Sequence, residues 1–114
     1  MRSTTTILVN TAFEGIHKYA DAPNEVAFLR DPHRHIFHVC VEMEVFNDDR
    51  ELEFIMVKHS LESYLQTKPF GVRSSCETMA VMICQYLLSI YGDRKMSCAV
   101  LEDNENGGKV YYEH

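Results

Sequence analysis

The sequence predicts an α+β protein of two layers, in which a mostly antiparallel sheet carries two helices on one of its faces. Three observations predict it. Apolar and polar residues alternate with period two over long stretches in the first half of the chain and over shorter ones near its end. Between those stretches, apolar residues recur at helical spacing. The 114 residues contain no internal repeat or linker, which predicts one domain, 1–114.

The first strand is predicted over residues 4–17. The alternation places Val9, Phe13 and His17 on one face, and β-branched residues are frequent along the stretch. Gly15 indicates a bulge or a close approach to the backbone. His17 is therefore expected at the end of a strand, on its apolar side.

Alternation stops in residues 18–32, which are expected to form a long loop. Asp21-Ala22-Pro23-Asn24 is typical of a turn, and a second short turn is expected around residues 26–29. Loops of this length in small domains are often functional. The loop is therefore a candidate for part of a site.

The second strand is predicted from His35 to Phe46, where the alternation is strongest. A tight turn at residues 47–49 and a short returning strand at 50–55 would make residues 35–55 a β-hairpin. The polar face of the long strand also carries Ile36 and Cys40. Because both faces are partly apolar, we expect the second face to be covered by another subunit.

Two helices are predicted in the middle of the chain. The first follows from Phe54, Val57, Leu61 and Leu65 and ends near residue 67, before a proline. The second is predicted to begin with a capping box of Ser74 and Glu77 and to end at Gly92. Its apolar residues recur at helical spacing. They are Met79, Met82, Ile83, Tyr86, Leu87 and Ile90.

The chain is predicted to end in two strands. Residues 96–102 are apolar, residues 103–108 (Asp-Asn-Glu-Asn-Gly-Gly) are typical of a turn, and residues 109–113 form the last strand.

The composition excludes several classes of function. The net charge of −6 and the absence of a basic patch argue against nucleic-acid binding. No apolar run approaches the roughly 20 residues of a membrane span, and the polar first six residues are too short for a signal peptide. We therefore expect a cytoplasmic protein. The four cysteines form no Cys-x-x-Cys pair and are expected to be small buried residues without disulfides.

Three histidines predict a metal site. His33-Arg34-His35 puts two imidazoles on one face of a strand, and His17 ends the neighbouring strand. Imidazole is the commonest zinc ligand, and catalytic zinc usually has three protein ligands. The alternative is a polar loop around Arg34. His38 has the opposite strand parity and is excluded, and His59 on the first helix is a spare candidate.

These motifs resemble the 6-pyruvoyl-tetrahydropterin synthase and 6-carboxytetrahydropterin synthase family. Phe13-Glu14-Gly15-Ile16-His17 is similar to its Phe-x-Ala-Ala-His strand end, and His33-Arg34-His35 to its His-Gly-His. Further similar segments are Leu52-Glu53-Phe54, Ser75-Cys76-Glu77 and Val100-Leu101-Glu102.

The resemblance implies a T-fold, ββααββ, with a four-stranded antiparallel sheet and two helices on one face. It implies zinc held by His17, His33 and His35, and Glu102 as the anchor of a pterin ring. A carboxylate can accept two hydrogen bonds from a 2-amino-pyrimidinone edge. The resemblance also implies homo-oligomers, trimers or hexamers, with active sites at subunit interfaces.

The chain departs from the family at its catalytic groups. The cysteine expected shortly before the His-x-His motif is absent, which leaves Glu25 or Asp31 as the general base, or both as solvated loop carboxylates. Residues 66–74 lack the family's Asp-His relay. Arg34 replaces the glycine between the histidines and could bind a triphosphate or a partner's carboxylate.

Two functions are expected from this combination. One is a zinc-dependent enzyme that acts on dihydroneopterin triphosphate, in pterin or 7-deazaguanine (queuosine) synthesis. The alternative is a T-fold module that binds a pterin or purine-like ring without turnover.

Overall fold

The computed structural model describes residues 1–113 and confirms an α+β fold with a four-stranded antiparallel sheet. The strands lie in chain order across an open sheet, and two helices connect the second strand to the third. The elements are β1 (Thr5–His17), a 3-10 segment (Asn24–Arg30), β2 (His33–Val45), α1 (Phe54–Gln66), α2 (Cys76–Tyr91), β3 (Met96–Glu102) and β4 (Asn106–Tyr112). His114, expected at a frayed terminus, lies outside the described residues.

The strand register brings three strand ends together. His17, the last residue of β1, pairs with His33, the first residue of β2. Glu102, the last residue of β3, pairs with Phe37 on the other side of β2. One end of the sheet therefore carries the end of β1, the start of β2 and the end of β3.

The hydrophobic core lies between one face of the sheet and the two helices. The inward positions of β2 are fully buried, including Phe37 and Met43, and so are Leu61 of α1 and Ile83 of α2. Burying an apolar side chain of this size stabilises the fold by roughly 1.5–3 kcal/mol. The predicted inward face of the strands is confirmed.

The predicted strand at residues 50–55 is wrong. Residues 46–53 form an irregular connection instead, and Glu53 caps α1 by accepting hydrogen bonds from the backbone N–H groups of Ile55 and Met56. Glu51 turns inward and pairs with the buried Arg94, with oxygen–nitrogen distances of 3.0 and 3.3 Å. The cap and the ion pair thus direct the carboxylates of Glu53 and Glu51 to different partners, whereas a strand would have pointed both to the same side.

Several predicted boundaries also differ, and β2 begins at His33 and not at His35. Ser75 rather than Ser74 caps α2, because the Ser75 hydroxyl accepts a hydrogen bond from the Thr78 N–H at 3.1 Å. The turn before β4 is shorter than expected, since β4 begins at Asn106. The predicted helix end at Gly92 is confirmed, with φ of +84°.

Glycines allow close approaches at several points of this fold, two of which lie beside the core and α2. A Cβ at Gly15 would lie 3.0 Å from Cε2 of Phe37, which confirms the close approach predicted there. A Cβ at Gly108 would lie 2.9 Å from the backbone nitrogen of Glu77. Gly108 therefore lets β4 pack directly against the start of α2.

The sheet face away from the helices is partly apolar, as predicted. Leu8, Ile16 and Ile36 are 59%, 59% and 42% exposed there. Arg34 lies on the same face and forms an exposed ion pair with Glu14.

The cysteines are free, as predicted. Cys76, Cys84 and Cys98 are buried, and Cys40 is partly buried. Burial raises the pKa of the Cys98 thiol to about 12. None of the helices among residues 1–113 has the length and apolar character needed to cross a membrane.

Candidate metal centre

The three predicted histidines converge at the shared end of the first three strands. The ring centroids of His17 and His33 are 4.5 Å apart, those of His33 and His35 5.0 Å, and those of His17 and His35 5.5 Å. One ligand atom from each, together with a carboxylate oxygen of Glu102, lies within 4.8 Å of all the others. These four side chains could hold a metal ion.

Each of the three rings is oriented by a hydrogen bond at Nδ1. The acceptors are oxygen atoms that cannot donate, so each Nδ1 carries the proton. A neutral imidazole then presents the lone pair of its Nε2, the form that binds a metal. The acceptors are the carbonyl of Ser74 at 3.0 Å from His17, the carbonyl of Asp31 at 2.9 Å from His33, and the carboxylate of Asp103 at 2.6 Å from His35.

The Nε2 atoms of these histidines are buried and make no hydrogen bond among the described residues, although a carboxylate oxygen of Glu102 lies 2.9 Å from that of His17. Burying a polar nitrogen without a partner is costly, and here three such atoms belong to one cluster of candidate ligands. A metal ion bound by all three would remove that cost. The histidines therefore fit a metal on the geometry of their own nitrogens.

Glu102 fits the same centre. Its Oε1 lies 2.9 Å from Nε2 of His17, and its Oε2 lies 3.4 Å from Nε2 of His35. Two ligands of one tetrahedral zinc ion, each bonded at roughly 2.0–2.1 Å, lie about 3.3 Å apart. The sequence analysis assigned Glu102 to ring binding alone, whereas its position also makes it a candidate fourth ligand.

Phe37 supports the histidines from the core side. Its fully buried ring packs edge-to-face against His17 and His35, with centroid distances of 5.1 and 5.8 Å. Such contacts restrict rotation of both imidazoles. His17 is itself only 7% exposed. Core packing therefore restricts the positions of the His17 and His35 rings.

A cleft of about 520 Å³ opens beside the centre. His17, His33 and Glu102 line its sheet side, and the start of α2 lines the other. Lys18 and Arg73 also line the cleft, so that two cations lie within a chain of net charge −6. The volume suits a small organic ligand that carries negative charge.

Cys76, which the sequence analysis did not select, also lines this cleft. Its sulfur lies 3.9 Å from Oε1 of Glu102. Burial, together with the nearby carboxylate of Glu102, raises the pKa of the Cys76 thiol to about 11. The thiol is therefore protonated at neutral pH in the metal-free protein.

The two predicted bases lie elsewhere. Glu25 and Asp31 are exposed, and neither lines the cleft. Asp31 contributes to the centre through its backbone carbonyl, which orients His33. The exclusion of His38 agrees with its place opposite Ala12 on the outward face, and His59 is exposed on α1.

Asp103 is the residue of the centre that sequence reasoning missed. It stands in the turn between β3 and β4, where an acidic residue is ordinary. Its hydrogen bonds from the His35 ring and from the Ile36 N–H lower the pKa of the Asp103 carboxyl below its usual value. Its only sequence clue is its position directly after Glu102.

Fold and site together define an α+β protein with a candidate metal centre of three histidines and a glutamate at one end of an antiparallel sheet. No protein-family model matches the chain, and no curated protein matches it either.

Proposed function

We propose that the chain is a T-fold protein of the 6-pyruvoyl- and 6-carboxytetrahydropterin synthase type, which binds zinc and acts on dihydroneopterin triphosphate. The proposal places it in pterin or 7-deazaguanine (queuosine) synthesis in the cytoplasm. One observation carries it. The Nε2 atoms of His17, His33 and His35 are buried without a hydrogen bond among the described residues, and the three side chains cluster with Glu102 beside an open cleft.

The ligand set favours zinc among the common metals. Three imidazoles and one carboxylate are nitrogen and oxygen donors in a small cluster, which suits zinc better than the oxygen-rich sites of calcium or magnesium. Zinc held by the three histidines would supply Lewis acidity towards an oxygen atom of the substrate side chain, which would take the fourth position in place of Glu102.

The cleft offers groups for the rest of the substrate. Glu102 could accept hydrogen bonds from the amino-pyrimidinone edge of a pterin, and Glu77 at the start of α2 is a second carboxylate in the lining. Lys18 and Arg73 could bind the triphosphate, because guanidinium and ammonium groups both pair with phosphate oxygens. Arg34 is less suited to that role, since it pairs with Glu14 on the outward face.

The enzyme proposal also requires a general base for proton transfer. Glu25 and Asp31 remain the proposed bases, although both are exposed and neither lines the cleft. The proposed homo-oligomer, a trimer or hexamer, would let a neighbouring subunit close the cleft and cover the outward sheet face. A base could then act across the interface.

The alternative is a T-fold module that binds a pterin or purine-like ring without turnover. The positions of Glu25 and Asp31 favour it, because both proposed bases are exposed and lie outside the lining of the cleft. Positioned acid–base groups usually contribute about 10²–10⁴-fold to a rate. A metal centre without them would bind substrate and turn it over slowly.

Two measurements test the proposal. Purified protein should contain about one zinc per chain, and His33→Ala should remove it while His59→Ala, a histidine change on exposed α1, should not. Absence of zinc from the wild type would overturn the metal centre. Dihydroneopterin triphosphate is then supplied to the zinc-loaded protein, and product formation is followed by chromatography. Binding without product would select the alternative, and neither binding nor product would overturn both.

A further inference from the structure

The turn between β3 and β4 has a backbone that few residues adopt. Asp103 and Asn104 have φ of +51° and +60°, and the Glu105 N–H donates to the Glu102 carbonyl at 2.9 Å. The left-handed region is unfavourable for most side chains, although Asp and Asn tolerate it. Such a conformation persists when the surroundings hold it in place.

Three hydrogen bonds to β2 hold Asp103 in this conformation. Its N–H donates to the Ile36 carbonyl at 2.7 Å, and its Oδ1 accepts from the Ile36 N–H at 3.1 Å. Its Oδ2 accepts from Nδ1 of His35 at 2.6 Å. The carboxylate is therefore fixed by one oxygen on the strand backbone and directs the other at the His35 ring.

His35 differs from the other two histidines in the kind of group that orients it. His17 and His33 donate to backbone carbonyls, whereas His35 donates to a side chain. Glu102 and Asp103, which are adjacent in the sequence, thus place one carboxylate on each side of the His35 imidazole. Asp103 is at its Nδ1, and Glu102 lies 3.4 Å from its Nε2.

We propose that Asp103 is a positioning residue of the metal centre, which keeps His35 protonated at Nδ1 and so turns its Nε2 lone pair towards the metal. The inference rests on the proposed metal site and deepens it. A carboxylate can only accept in this pair, so it permits one tautomer of the neutral ring. Outer partners of this kind orient metal-binding histidines and raise their basicity.

Asp103→Asn is the sharpest test of this role. The amide suits the same backbone and can still accept from the Ile36 N–H with its oxygen. Its NH₂ group would then face His35 and donate to Nδ1. The ring proton would move to Nε2, which can no longer bind a metal. Asp103→Gly, which also suits a φ of +51°, removes the acceptor altogether.

The first measurement uses metal-free protein. Nitrogen-15 NMR of the histidine rings, assigned with His35→Gln, should show His35 protonated at Nδ1 in the wild type and at Nε2 in Asp103→Asn. Glu105→Gln makes the same carboxylate-to-amide change at an exposed position of the same turn and should leave the wild-type tautomer. An unchanged tautomer in Asp103→Asn would overturn the proposal.

The second measurement is zinc affinity by competition with a chelator. Asp103→Asn and Asp103→Gly should each weaken binding by roughly 10–100-fold, the usual effect of losing such a partner, with Glu105→Gln at the wild-type value. Wild-type affinity in both Asp103 variants would overturn the proposal and leave the metal site standing. A wild type that binds no zinc would instead overturn the proposed function, while the NMR result on metal-free protein still decides the role of Asp103.

Discussion

His17 and His33 are direct partners in the antiparallel ladder of β1 and β2, and their ring centroids lie 4.5 Å apart. The pairing places both imidazoles on the inward face, at the point where the sheet emerges from the core. His35, two residues further along β2, shares that face. The candidate metal centre is therefore a product of strand register, and we expect changes to the residues around it to have separable effects.

Glu102 is predicted to bind the metal as well as a ring. Glu102→Ala should weaken zinc binding by more than the roughly 10–100-fold that follows loss of a ligand's hydrogen-bond partner, because a ligand itself is lost. Glu105→Ala is the matched control in the adjoining turn. Chelator competition measures both. Unchanged zinc affinity in Glu102→Ala would restrict this carboxylate to ring binding.

Phe37 is predicted to couple core packing to metal affinity. Phe37→Ala should cost about 3–5 kcal/mol of unfolding free energy and also weaken zinc binding, because the rings of His17 and His35 lose their support.

Met43 provides the comparison on the same buried face of β2, away from the histidines. Met43→Ala should cost about 2–5 kcal/mol and leave zinc affinity in the folded protein unchanged. Denaturant unfolding and zinc titration are measured for both variants. Equal losses of affinity in the two would show that general destabilisation, and not ring support, sets the affinity.

Glu51 is predicted to make stability depend on acid pH. The hydrogen bond from Arg94 lowers the pKa of the Glu51 carboxyl below 4.5 in the folded protein. A lowered folded pKa stabilises the fold above the unfolded value, and this contribution is lost as the pH falls from about 4.5 through the folded pKa.

Glu51→Gln should therefore lower Tm at neutral pH, and its difference from the wild type should shrink below pH 4.5. Thermal unfolding by circular dichroism across this range measures it. Glu53→Gln is a poor control because Glu53 caps α1, whereas Asp48→Asn changes an exposed carboxylate of the same connection. A constant difference in Tm for Glu51→Gln at all pH values would contradict the linkage.

The strands, the helices and the three histidines follow from the sequence for a local reason. These elements are recognised from patterns among residues close together in the sequence. The patterns are the alternation along β1 and β2 and the helical spacing in α1 and α2. The parity of His17, His33 and His35 with the apolar residues follows in the same way. The wrong prediction of a strand at residues 50–55 shows where local patterns do not suffice, because Glu51 pairs with Arg94, which lies 43 positions away in the sequence.

Only the tertiary structure decided how the centre is completed. Asp103 meets His35 across 68 positions, and the Ser74 carbonyl meets His17 across 57. No local pattern encodes such contacts, because they depend on strand register and on where α2 begins. The sequence by itself determined which imidazoles share a face. The fold determined that their Nε2 atoms converge, that Glu102 joins them, and that Asp103 orients His35, because distances between side chains far apart in the chain exist only once the sheet has formed.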